Sequence, residues 1–199
     1  MTFDAQCDLA ALVYEPHQNP DGVLRAFAND LNMHGYRAVG LVQLGRHCVD
    51  PDLSALLVHT GEKLPLLQDL GGCAAGCRLD VGRLLEAGAR IADAIAAGAD
   101  IVIINRFGRQ ERDGKGLSYL LERALAADIP VVVAVPHHRF ADWIRFACGM
   151  SVKLACDRRA LDAWWRAVSQ PGVSLIARDH ITDCEAFKYS RRTDASSMM

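Results

Sequence analysis

Cationic and amide side chains recur directly after the apolar runs of this chain, where a sheet-based fold would gather them along one edge. Gln43 and Arg46 follow one run. Asn105, Arg106 and Arg109 follow another, and His137, His138 and Arg139 a third, with Glu15, His17 and Asn19 near the start. Arginine presents a planar fork of donors that matches carboxylate, phosphate and similar oxyanions. A helix starting just beyond such a residue adds backbone N–H groups and the positive end of its dipole. Asn19, Gln43, Arg78, Asn105, Arg106 and Gly108 therefore form the candidate ligand-binding set, and a small oxyanion is the ligand they would suit. The plainer account is a solvated rim whose arginines pair with Glu111, Asp113 and Asp142.

Two absences narrow the chemistry. A phosphate-wrapping loop needs glycines, a lysine and a Ser or Thr for Mg²⁺. The stretch Glu15-Pro16-His17-Gln18-Asn19-Pro20-Asp21-Gly22 has one glycine, no lysine and no hydroxyl, and each of its two prolines removes a donor. The strand ending in Asn105-Arg106 places an amide and a cation where a nucleotide hydrolase carries a carboxylate for the metal. The glycines of the segment from Asn105 to Gly116 permit a tight path from strand to helix, but their spacing is not that of a dinucleotide-binding GxGxxG. Cys73 and Cys77, with His137 and His138 as further ligands, have loose spacing for zinc and no second Cys pair, so no metal is expected. Cys77 beside Arg78 reads equally as a low-pKa thiolate or a small turn residue.

These residues need a frame. Just over half the residues, 51%, are hydrophobic and 23% are charged, which is globular composition, and 199 residues suffice for one well-buried domain. A net charge of −2 gives no reason to expect nucleic acid as a partner. No signal-like N-terminus is evident, and the most apolar run, Ile91 to Ile104, is broken by Asp93 and Asp100 and too short for a bilayer. The expectation is a cytoplasmic chain without membrane insertion, its seven cysteines reading as free or buried thiols. Leu9 to Tyr14, Arg37 to Leu44, Ala99 to Asn105, Pro130 to Val135 and Val152 to Cys156 read as strands. Between them, helices start at Asn19-Pro20, Asp80, Leu117, Phe140 and Asp157, the Trp164-Trp165 pair reading as core. Leu53 to His59 and Lys63 to Gln68, around Thr60-Gly61-Glu62, predict a β-hairpin. Alternating strands and helices predict a three-layer α/β fold on a mostly parallel sheet, with the hairpin inserted. Residues 8–169 form the expected single domain, and 170–199 a partly disordered extension in which Val173 to Ala177 could add an edge strand.

Gly40-Leu41-Val42-Gln43, Gln68-Asp69-Leu70-Gly71, Cys77-Arg78-Leu79-Asp80, Asn105-Arg106-Phe107-Gly108 and Pro130-Val131-Val132 occur in the order found in a bacterial family, domain of unknown function 2478, which the chain resembles over roughly residues 8–168. Members are often encoded near molybdenum-transport genes, which implies a role in molybdate or molybdenum-cofactor physiology. More distantly the layout is similar to small P-loop nucleoside-triphosphatases, which share the Thr-Gly-Glu hairpin turn and carry an Asp-Glu-Ile-Gly-like segment where this chain has Asn105-Arg106-Phe107-Gly108. The resemblance therefore implies a P-loop-like fold without a working phosphate loop. The leading expectation is a non-catalytic, molybdate-like oxyanion binder or sensor. One alternative is a divergent nucleotide-binding phosphohydrolase or transferase using Glu111 as base. Another is a protein partner of a molybdenum transporter or cofactor-insertion enzyme. No cofactor is specified by the sequence.

Overall fold

The computed structural model describes residues 7–44, 54–66 and 80–169. Arg46, the Cys73–Cys77 turn, Arg78 and everything beyond Ser169, including the edge strand considered for Val173 to Ala177, lie outside the described residues.

The first apolar run, β1 (Leu9–Tyr14), is buried along nearly its whole length, as a strand covered on both faces must be. Asn19 then caps α1 (Pro20–Met33), its side-chain oxygen accepting from the Gly22 N–H, with Pro20 at the first helical position. The chain returns through β2 (Ala38–Leu44), and the inserted hairpin follows as β3 (Ser54–Leu57) and β4 (Lys63–Pro65). Both hairpin strands are shorter than their apolar runs predict. Asp80 caps α2 (Val81–Ala96) by accepting from the Arg83 N–H, and β5 (Ile101–Ile104) is fully buried. The glycine-containing loop after β5 holds an extra helical turn, α3 (Arg109–Arg112), before α4 (Ser118–Ala126). β6 (Val131–Pro136) leads through a 3₁₀ turn, His137–Arg139, into α5 (Phe140–Phe146). β7 (Val152–Ala155) and α6 (Arg158–Ser169) complete the described chain, with Asp157 accepting from the Ala160 N–H ahead of α6.

The strands form one seven-stranded sheet in the order β4-β3-β2-β5-β6-β1-β7. β3 pairs antiparallel with both β2 and β4, and β1, β2, β5, β6 and β7 are parallel to one another. Side chains alternate between the faces, so two cores result. Leu24, Phe27 and Leu31 of α1 and Leu161, Trp164 and Trp165 of α6 pack on one face with Leu12, Ile103 and Val132. Leu84, Ile91 and Ile95 of α2, Leu120 and Leu121 of α4, and Trp143 of α5 pack on the other with Leu41, Ile104 and Val133. The expected three layers are therefore present.

One contact inside the sheet admits no side chain. A Cβ on Gly40, in β2, would lie 1.9 Å from the Ile103 carbonyl oxygen, and the residue has φ +141°. The glycine allows β2 and β5 to keep their register. Among the described residues, no helix is long and apolar enough to cross a membrane.

Candidate functional site

The chain runs from β1 through α1 to β2, with β6 and β5 lying between the two strands, whereas β7 joins the other side of β1. The direction of winding thus reverses at β1. In open parallel sheets a crevice forms outside the carboxyl ends of the strands at such a reversal, and Asn105 and Arg106 of the expected set meet on that edge.

The centre is the end of β5. The Asn105 N–H donates to the Leu41 carbonyl of β2 at 3.1 Å, and the Phe107 N–H donates to the Ala134 carbonyl of β6 at 2.8 Å. Arg106, pinned between these bonds, takes φ +64°. Such a conformation is unfavourable for a side-chain-bearing residue unless its surroundings hold it. Phe107 anchors the turn by burying its ring against Trp143 and Phe146, with centroids 5.2 Å away in each case.

Arg106 and Asn105 converge on one carboxylate. Asn105 Nδ2 donates to Asp21 Oδ1 at 2.8 Å, and Arg106 Nη2 donates to Asp21 Oδ2 at 2.7 Å. Asp21 stands in the first turn of α1, where free backbone N–H groups favour negative charge. Its side chain is 13% exposed and that of Arg106 25%, so the pair is better shielded than an ordinary surface bridge. The guanidinium carbon also lies 6.0 Å from the centre of the Tyr14 ring. Burial raises the Tyr14 hydroxyl pKa above its usual value, with Arg106 opposing that shift and Asp21 adding to it. Asn105 itself is only 7% exposed. Its Oδ1 and the Nε of Arg106 are buried without a hydrogen-bond partner among the described residues.

The other expected residues are placed differently. Asn19 caps α1 two residues before Asp21. Gln43 is half-buried in β2, two positions past Leu41, the register partner of Ile104. Gly108 does not offer its amide to the crevice. That N–H is taken by Glu111 Oε2 at 3.0 Å, while Glu111 Oε1 accepts from the Leu117 N–H at 3.4 Å. Glu111 is 8% exposed and ties the two ends of its own loop together. Of the arginine pairings that a plain rim would show, Arg145–Asp142 and Arg112–Asp113 are present, the latter at 2.8 Å. His137 Nδ1 lies 3.5 Å from Glu15 Oε1, both side chains being exposed. The rim account thus describes these residues but not Arg106. Among the described residues, no group of three or more His, Cys, Asp or Glu side chains could hold a metal ion.

Sequence reasoning placed Asn105 and Arg106 together and missed Asp21, their shared partner. The available signal was an acidic residue in the first turn of the helix that follows β1, the place where a phosphate would lie on such a fold.

Comparisons with known proteins bear on the family and the fold. A family model described as "Protein of unknown function (DUF2478)" matches residues 9–164. A curated relative, the molybdenum import ATP-binding protein ModC 2 of Bradyrhizobium diazoefficiens, is 39% identical over 176 residues. The match takes in 86% of this chain but 19% of that protein, so the chain spans about a fifth of the relative's length. Among solved structures, THEP1 from the hyperthermophile Aquifex aeolicus superposes with a TM-score of 0.54 at 16% identity, covering 77% of this chain and 92% of that one. The shared feature is the fold, the mostly parallel α/β sheet of P-loop-NTPase-like proteins.

Proposed function

Because the chain belongs to the DUF2478 family of proteins of unknown function, and because its crevice holds an arginine and an amide where this fold class grips nucleotide with glycines, lysine and metal, we propose that it is a non-catalytic oxyanion-binding or sensing protein of molybdenum metabolism. The observation that carries this reading is that the cluster already binds an anion: Arg106 and Asn105 hold the Asp21 carboxylate at 2.7 and 2.8 Å. A tetrahedral dianion such as molybdate offers the same oxygen acceptors with twice the charge. The link to molybdenum is supported by the Bradyrhizobium relative, a protein named for molybdenum import.

Isothermal titration with molybdate, tungstate, sulfate and phosphate tests the reading. Binding of at least one of them, abolished in Arg106→Ala, is the expected result, and no binding by the folded wild-type or Asp21-substituted protein would sink it.

The alternative of a divergent phosphohydrolase with Glu111 as its base finds less support, since both oxygens of that carboxylate already accept backbone N–H groups. Turnover of nucleoside triphosphate with Mg²⁺ that disappears in Glu111→Gln would reinstate it.

The partner reading keeps one specific observation. In the Bradyrhizobium relative the matched region is 19% of a protein named for ATP binding in molybdenum import, so a domain like this one is joined there to further sequence. Linking two modules raises the effective concentration of one for the other. Co-purification of this chain with a molybdenum import ATP-binding protein from the same cell is the corresponding test, and failure to associate at micromolar concentrations would count against it.

A further inference from the structure

Asp21 occupies the place a ligand would need. Its carboxylate lies in the first turn of α1, takes one hydrogen bond each from Asn105 and Arg106, and is largely shielded from water. This closed arrangement leaves hydrogen-bonding capacity unused. The Asn105 oxygen, on a residue more than nine-tenths buried, has no partner among the described residues, and neither does the adjacent Arg106 Nε. Arg106 binds Asp21 through Nη2 while its Nε has no partner among the described residues, whereas an oxyanion with several oxygens would engage Nε and Nη2 side by side.

Resting on the oxyanion reading above, we propose that Asp21 is a resident competitor that sets the charge selectivity of the site: a doubly charged tetrahedral oxyanion displaces it, and a singly charged one of the same shape does not. The physical reason is tethering. A carboxylate fixed on α1 faces Arg106 at a high effective concentration, so a free monoanion offers no more charge and arrives at a lower concentration. A dianion doubles the Coulombic attraction to the same guanidinium, and Asp21, in the helix's first turn, swings away from it. Buried polar atoms without partners among the described residues, and the positive φ of Arg106, are strain of the kind that gathers at binding sites.

Molybdate and perrhenate, both tetrahedral and differing in charge, separate the two effects in titrations of the full chain. The wild type binds molybdate and not perrhenate. In Asp21→Asn molybdate binds about tenfold more tightly or better, and perrhenate binding appears. Asp21→Glu, which restores a carboxylate, returns the wild-type selectivity. Circular dichroism checks that each variant is folded, and Asp21→Ser takes the place of Asp21→Asn should the amide prevent folding. Wild-type binding of molybdate with Asp21→Asn neither tighter nor less selective overturns the competitor role and leaves the oxyanion reading standing. Binding that appears only once Asp21 is replaced overturns the displacement by a dianion and leaves the oxyanion reading standing. Absence of binding in the folded wild type and in all folded Asp21 variants overturns the oxyanion reading itself.

Discussion

Glu111 is the buried carboxylate of the loop between β5 and α4, and its work is to close that loop. Its two oxygens accept the Gly108 and Leu117 N–H groups, and a Cβ on Gly116, which has φ +59°, would come within 2.5 Å of one of them. Glu111→Ala strands these donors and is expected to cost about 1–3 kcal/mol, seen as a lower urea midpoint. His59 ties stability to mild acid. Burial lowers its pKa below 6.5, and Arg90 and Arg37 lower it further. The unfolded chain therefore takes up the proton more readily, so the stability tied to neutral His59 is complete above about pH 6.5 and is lost as pH falls through that value toward the depressed folded pKa. Urea unfolding at pH 7.5 and 5.5 should show a drop that His59→Gln reduces, and an equal drop in both proteins would refute the assignment. Cys156 differs again, since burial, with Asp157 and Asp21 nearby, pushes its thiol up to about 11. It should alkylate with iodoacetamide more slowly at pH 8 than the exposed Cys148, as peptide mass spectrometry would read. At this scale the sequence reveals only part of the site. Asn105 and Arg106 are legible because they directly follow an apolar strand. Asp21 is not, because its partners are 84 and 85 positions away and no local pattern links them.

Elements were legible where a local signal coincided with the buried stripe. Asn19, Asp80 and Asp157 each stand ahead of a helix and accept from its first turn, which a cap followed by periodic apolar residues forecasts. The single turn Arg109–Arg112 carries no apolar period to announce it, and only the spacing of Gly108 and Glu111 hints at the capping bond that shapes it. The hairpin was visible in its turn but not in its length, since pairing to β2 fixes how much of each apolar run becomes strand. It is also fastened to α2, where the Arg90 guanidinium engages both oxygens of Glu62. Least visible was the need for glycine in β2. Gly40→Ala would drive a methyl group into the Ile103 carbonyl, a backbone atom that cannot move alone, and should cost about 3 kcal/mol or more. Soluble, cooperatively folding Gly40→Ala protein with an unchanged urea midpoint would contradict that.

The whole molecule depends on a pairing that its local elements do not dictate. β1 lies inside the sheet, its register set on one side by Leu9 opposite Val131 and on the other by Ala10 opposite Val152. Both neighbours are encoded more than a hundred residues later. During synthesis the Leu9–Tyr14 segment must therefore wait, roughly 7–28 s at ~5–20 residues per second, before both strands that flank it exist. Throughout that interval a nearly all-apolar hexapeptide has no native place to go, making it a natural client for a nascent-chain chaperone. Contacts of such long range also slow folding, so the rate of recovery from denaturant should be set late, by the joining of the chain's two ends. Thermolysin applied to a chain truncated after Ile129 should cut within Leu9–Tyr14, a segment the complete chain protects. Protection in the truncated chain would mean that the first strand finds shelter before its permanent neighbours are made.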